Sequence, residues 1–252
     1  MLFDIHTHIS QFNHDELDLM IERWQANNVG FVVSAGTNPN DCFESIELSK
    51  KYKHIYAGIG LHPTEITDDY KNQMNKIFNL INDRVITISE IGLDYLSDSP
   101  DINIQKYCFL SQIEFSYQNN LPIVFHMRES NEDTLNILED NIEKIIGGAS
   151  HYFQGSLKDA ERLIGMGLYV SFAKPLLRDQ SLQLIAKKIP IDHIVLETDS
   201  YPQYFKKKRE RWTEPKDILL VAEKLSFIKD IPIEEVIDQT TKNALDLFKL
   251  SR

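Results

Sequence analysis

Leu2-Phe3-Asp4-Ile5-His6-Thr7-His8 is an apolar opening that ends in two imidazoles. Residues 2–5 read as a strand, and because side chains alternate across a strand, Asp4, His6 and His8 are expected on one side. Two imidazoles two residues apart at a strand end can grip one divalent cation from one direction, leaving its other face for carboxylates, water and substrate. A half-shell of this kind needs partners. Four later segments offer them: 89–95 (SEIGLDY), 122–128 (PIVFHMR), 151–155 (HYFQG) and 196–200 (LETDS).

Working outward, short apolar runs rich in β-branched residues alternate with longer amphipathic stretches. Strands are expected at 2–5, 29–34, 55–60, 85–90, 123–126, 147–151, 169–172 and 194–197. Helices are expected at 14–27, 40–51, 68–82, 104–119, 131–141, 156–166, 179–188 and 215–229, and a further one over 233–250 is expected to cover the outside of the barrel. Each crossover is long enough to return the chain to a parallel neighbour, and Asn or Asp before several helices, with Pro215 in a first turn, marks their starts. Eight such units predict a single (β/α)8 TIM barrel spanning residues 1–252, with one additional C-terminal helix. No repeat, low-complexity segment or Pro/Gly-rich linker divides it.

His6, His8, His62, Glu90, His126, His151 and Asp199 fall at or just beyond strand ends. In a barrel those ends converge on one rim, where such folds keep their chemistry. His14, His54 and His193 fall elsewhere and read as structural. Glu90 is expected to bridge two cations, one per oxygen, with His6 and His8 on one side and His126 and His151 on the other. Asp199 would complete the first shell and accept a proton from water. Paired cations lie about 3.5–4 Å apart and bring the pKa of bound water towards roughly 7. Asp4 and Asp94 are expected to accept imidazole N–H groups. Glu197, two residues before Asp199, is either a further ligand or a base behind the ligands. His62 and Arg128 are placed to donate to an anionic substrate.

The composition sets limits on partners. A net charge of −11 argues against coating nucleic acid over the whole surface, so any polyanion must be met locally. The one basic run is 205–211 (FKKKRER), where Lys206, Lys207 and Lys208 are the candidate phosphate contacts. Tyr201, Tyr204, Phe205 and Trp212 interleave with it, suited either to stacking unpaired bases or to packing the loop on the barrel. Cys42 and Cys108 lack CxxC spacing and read as reduced thiols of a cytoplasmic protein; no removable leader or membrane span is expected.

DIHTH (4–8), GLHP (60–63), EIGLDY (90–95), the Pro122/His126/Arg128 segment, HYFQG, LETDS and TTKNALDLF (240–248) together resemble the TatD family of metal-dependent deoxyribonucleases, among the amidohydrolase-type barrels. The resemblance implies a divalent-metal hydrolase acting on DNA ends, nicked DNA or single strands, with ligands matching His6, His8, Glu90, His126, His151 and Asp199. It implies magnesium as activator, whereas four imidazoles favour zinc, manganese, cobalt or nickel. Family patterns carry Cys where Tyr152 stands, a shorter step to Pro after the strand-8 Asp than Ser200-Tyr201-Pro202, and Arg-Asn where the chain reads Arg211-Trp212-Thr213-Glu214-Pro215. Two other readings compete with an exonucleolytic, monomeric deoxyribonuclease: an ester or amide hydrolase such as a D-aminoacyl-tRNA deacylase, and a silent metal-binding scaffold. Barrels that open cyclic amides commonly bridge their metals through a modified Lys on strand 4, where this chain has Glu90.

Overall fold

The structure, a computed structural model, describes residues 1–250. Eight parallel strands follow in chain order: β1 (Leu2–Thr7), β2 (Val29–Ala35), β3 (Ile55–Ile59), β4 (Val85–Asp94), β5 (Ile123–Arg128), β6 (Gly148–Ser150), β7 (Tyr169–Phe172) and β8 (Ile194–Leu196). Nine α-helices accompany them among the described residues: α1 (His14–Ala26), α2 (Pro39–Lys51), α3 (Tyr70–Phe78), α4 (Ile102–Gln118), α5 (Asn131–Asp140), α6 (Leu157–Gly165), α7 (Gln180–Lys188), α8 (Ile218–Lys229) and α9 (Ile233–Leu247). The ring closes where Thr7 bridges Ser200, the His8 N–H donates to the Ser200 carbonyl (2.8 Å) and the Asp199 N–H donates to the His6 carbonyl (3.1 Å). Closure of the barrel therefore brings the first and last candidate ligands together.

Several helix starts have a visible cause. Asn13, Asn38, Asp101 and Asp179 side chains accept the first free N–H groups of α1, α2, α4 and α7, and Ser156 with Asp159 forms a capping box on α6. Pro215 opens a 3-10 turn, Pro215–Asp217, that leads into α8. No helix among the described residues is long and apolar enough to cross a membrane.

Two apolar clusters divide the core. The larger packs strands against helices. The smaller draws Phe3, Ile5, Val33, Tyr56, Ile86, Val124, Ala149, Tyr169 and Val195 from all eight strands, as only the lumen can. Ala244, Leu245, Leu247 and Phe248 join that lumen cluster, and Phe248 lies 5.6 Å from Phe3 between ring centroids. The last turn of α9 thus plugs the barrel at the strand starts, opposite the site, which corrects the expectation that this helix only covers the outside. Ala244, Leu245, Leu247 and Phe248 are all buried there against the strand side chains.

β4 runs four residues past its expected end, to Asp94. A register shift between Ile88 and Ile91 breaks the alternation, and Gly92 (φ +138°) lies against β5 so closely that a Cβ would be 2.1 Å from the His126 carbonyl oxygen. This contact sets Glu90 and Asp94 on one strand beside His126.

Candidate metal centre

Six side chains from five strand ends meet around one carboxylate. Glu90 Oε2 lies 3.3 Å from His6 Nε2 and 3.5 Å from His8 Nε2, while Glu90 Oε1 lies 3.0 Å from His126 Nδ1, 3.4 Å from His151 Nε2 and 3.3 Å from His62 Nε2. Each oxygen of Glu90 serves a different half of the cluster. Asp199 Oδ1 reaches His8 Nε2 at 3.3 Å. Asp199 takes the left-handed conformation (φ +49°), as do Tyr152 (φ +44°) and Glu129 (φ +54°), so the chain turns sharply just past β5, β6 and β8.

The donors fit a cation. Atoms sharing one ion in a tetrahedral shell with bonds of about 2.1 Å lie about 3.4 Å apart, and His6 Nε2, His8 Nε2 and Glu90 Oε2 are separated by 3.3, 3.3 and 3.5 Å. Three triads could hold an ion: His6, His8 and Glu90; His6, His151 and Asp199; His62, Glu90 and His126.

The opposite ring nitrogens meet fixed acceptors, as ligating imidazoles require. His8 Nδ1 donates to the Ala35 carbonyl (2.9 Å), which turns Nε2 to Glu90. His126 Nε2 donates to Asp94 Oδ2 (2.9 Å), and His151 Nδ1 lies 2.8 Å from Glu197 Oε1. Glu197, fully buried, also accepts the Tyr152 N–H and the Ser171 hydroxyl. Its oxygens are thereby turned to His151 and the wall of β7, which places it behind the imidazole and leaves Asp199 to face the cluster.

His62 differs. Its Nδ1 accepts the Thr64 N–H (3.2 Å) at the head of the 3-10 turn Pro63–Glu65, so its Nε2 carries the proton and points that donor at Glu90 Oε1. Asp4 requires a correction. The shift of register in β1 between Asp4 and Thr7 resets the alternation, and the Asp4 carboxylate turns to Thr198, accepting its N–H (3.0 Å) and hydroxyl (2.6 Å) instead of any imidazole N–H. It ties β1 to the segment beyond β8.

Burial works against every charge here, and pairing decides the outcome. Burial alone would push the Glu90 carboxyl up, but the imidazoles of His62, His151, His6 and His126 hold it well below the usual carboxylate range. Burial would lower His8 and His151, yet Asp199 and Glu90 raise His8 to about 9, and Glu197 and Glu90 raise His151 to about 10. His6 is lowered, by burial and by the neighbouring His151. Burial pushes Asp4 well above its ordinary value.

A cleft of about 870 Å³ opens over the cluster, lined by His126, Arg128, His151, Tyr152, Asp199 and Tyr201 among others. Arg128 is exposed at its wall. Lys206, Lys207 and Lys208 do not line it. Lys206 Nζ is occupied within its own loop by Gln203 Oε1 (2.7 Å) and the Arg211 carbonyl (3.1 Å), which corrects its reading as a phosphate contact. The supporting residues Ser89, whose hydroxyl lies 3.4 Å from His6 Nδ1, Ser171 and Thr198 escaped the sequence reading. Their one signal is a small hydroxyl within or just beyond a strand, two positions or fewer from a charged residue or beside one on the neighbouring strand.

A family model described as TatD related DNase matches residues 3–249. The chain is 34% identical to the uncharacterized metal-dependent hydrolase YabD of Bacillus subtilis, covering all of both chains. It is 30% identical to the deoxyribonuclease TATDN3 of Homo sapiens, over 98% of this chain and 94% of that one. The crystal structure of YJJV, a TatD homolog from Escherichia coli K12, superposes with a TM-score of 0.88 at 22% identity, covering 99% of this chain and 98% of that one. The chain belongs to the TatD-related DNase family.

Proposed function

We propose that this protein is a divalent-metal-dependent hydrolase that cleaves phosphodiester bonds of DNA, working exonucleolytically on single-stranded or end-exposed substrates. The observation that carries this reading is the two-sided Glu90: Oε2 serves His6 and His8, and Oε1 serves His126 and His151. His6, His8, Glu90 and Asp199 would hold one ion and His126, His151 and Glu90 a second. Bound there, paired ions supply an acidified water and charge neutralisation on both the attacking and leaving oxygens of an in-line displacement. The imidazole-rich donor set favours manganese or zinc, and magnesium enters through the family.

The chain's own groups do the rest. Asp199, beside His8, accepts the proton of the attacking water. Nε2–H of His62, just past β3, and the guanidinium of Arg128, at the end of β5 on the cleft wall, donate to the phosphate from either side of β4. Asp94 and Glu197 hold His126 and His151 at fixed angles. Asp4 acts only by fixing Thr198 and the segment that carries Asp199. A cleft closed below by a filled lumen admits a strand end or a single strand more readily than an intact duplex. Relatives described as metal-dependent hydrolase and as deoxyribonuclease support the assignment. Buried, unpaired Cys42 and Cys108 fit a cytoplasmic protein, and we read it as one monomeric domain.

The test is to strip the protein with EDTA, reload it with manganese, zinc or magnesium, and supply end-labelled single-stranded DNA, duplex DNA, RNA and D-aminoacyl-tRNA. The expected result is metal-dependent shortening of single-stranded DNA from an end. Faster release of the amino acid from aminoacyl-tRNA than of any nucleotide would replace this reading with the deacylase.

A further inference from the structure

The loop after β8, residues 200–213, ends in a crest unlike the rest of the surface. Tyr204 and Phe205 stand next to each other with 79% and 71% of their surface exposed. Phe227 on α8 is equally exposed but stands alone; Phe205 and Phe227 each have a lysine ammonium over the ring, Lys206 at 5.9 Å and Lys224 at 5.2 Å, and the Tyr204 ring meets Trp212 edge-on at 5.1 Å, leaving its faces open. Large adjoining apolar side chains in solvent mark contact surfaces.

The loop is braced below the crest. Gln203 Oε1 accepts the Thr213 N–H (2.8 Å) and the Lys206 ammonium (2.7 Å), and Lys206 also donates to the Arg211 carbonyl (3.1 Å), so the two limbs are laced together. Arg209 lies over Trp212 (4.7 Å) and Phe12 (5.4 Å) and pairs with Glu16 and Glu214, each at 2.8 Å. Lys208 has Glu210 4.0 Å away. Of the basic run, Lys207 and Arg211 remain: both are exposed, and neither has an acidic partner among the described residues. The stem of the same loop opens on the cleft, which Asp199 and Tyr201 line. Three residues of chain reach at most about 10 Å and four about 14 Å, so the backbone of Tyr204 and Phe205 stands within those distances of that of Tyr201.

We propose that this crest docks the unpaired nucleotides of a DNA single strand, with bases stacked on Tyr204 and Phe205 and backbone phosphates met by Lys207 and Arg211, and so feeds the strand to the cleft. The proposal rests on the phosphodiesterase reading of that cleft. Charge selects the occupant. With a net charge of −11, a second copy of the chain is repelled, while a flexible polyanion is drawn to cations without acidic partners, and Lys207 and Arg211 are such cations in the loop that also carries exposed rings and lines the cleft. Flat aromatic faces beside those cations suit exposed bases, which a duplex keeps stacked inside. A crest braced by Lys206 and Arg209 holds its rings in place, so little ordering entropy is lost when a base lands.

Binding is read by the anisotropy of a labelled phosphorothioate oligothymidine, which resists cleavage, on the metal-loaded full-length protein. Turnover is read on oligothymidine and on bis(p-nitrophenyl) phosphate. For Tyr204→Ala/Phe205→Ala, affinity is expected to fall about tenfold to a hundredfold, and the ratio of kcat/KM on oligothymidine to that on bis(p-nitrophenyl) phosphate to fall with it. Tyr204→Phe/Phe205→Tyr restores both, because either ring stacks. Lys207→Gln/Arg211→Gln is expected to flatten the slope of log affinity against log salt by about 1.4, from two single-strand phosphate contacts at about 0.7 each. Wild-type affinity in the double-alanine variant overturns the proposal, as does loss of a concentration-dependent dimer by that variant with DNA affinity intact. A wild-type protein that binds the oligomer yet cleaves no phosphodiester overturns the hydrolase reading instead, and the binding comparison still decides the crest.

Discussion

The floor of the cleft and the loop at its rim are built by opposite means. On the floor, the imidazoles of His8, His126 and His151 are aimed by one nitrogen held on Ala35, Asp94 or Glu197, and the other is left to face Glu90. At the rim, Gln203, Lys206 and Arg209 spend their polar groups on the shape of the loop itself, and Tyr204 and Phe205 are left in water. In the function proposed above, the chemistry belongs to strand ends locked to the barrel and the capture of the strand to a loop outside it.

The sharpest way to break this contrast is Glu90→Ala. Loss of the shared ligand is expected to lower kcat/KM on DNA and on bis(p-nitrophenyl) phosphate alike, by about a thousandfold or more, at saturating manganese. Selective loss on DNA alone would move Glu90 from the chemistry to the recognition side. Next in size is Glu197→Gln, which weakens the hold on His151 without touching the rim. Metal affinity, followed by titration of the stripped protein, is expected to drop about tenfold to a hundredfold, with the KM for DNA nearly constant at saturating metal. A raised KM with unaltered metal affinity would contradict the position of Glu197 behind His151.

The smallest effect belongs to the rim's anchor. Arg23 grips Glu214 through two 2.8 Å contacts, and Arg209 adds a third. Both arginines are about one-third exposed, so their pairing is screened, and Glu214→Ala is expected to cost about 1–2 kcal/mol in urea denaturation. It should also speed proteolytic cutting within 200–213 while metal affinity holds. Equal weakening of metal binding would show that rim and floor are one cooperative unit.

The same contrast explains what could be read from the chain itself. Strand and helix periodicity, and histidines or acids at strand ends, are local patterns, so the barrel and the meeting of His6, His8, Glu90, His126, His151 and Asp199 were legible. Departures from periodicity were not. The register shifts in β1 and β4 hid the turn of Asp4 to Thr198 and the extension of β4 to Asp94. The lumen position of the α9 end depends on a residue 245 positions away, since Phe248 packs on Phe3. A run of basic letters looked like a uniform phosphate contact, yet long-range partners, Glu16 and Glu214, and short-range ones, Gln203 and the Arg211 carbonyl, divide it into braces and free charges.

The central claim, that one carboxylate joins two metal half-sites, is tested most directly by anomalous diffraction from crystals grown with manganese. Two peaks are predicted, one beside each oxygen of Glu90 and about 3.5–4 Å apart, the first among His6 and His8 and the second among His126 and His151. Peaks that avoid Glu90, or no peak in crystals of protein that still cleaves DNA, would contradict it.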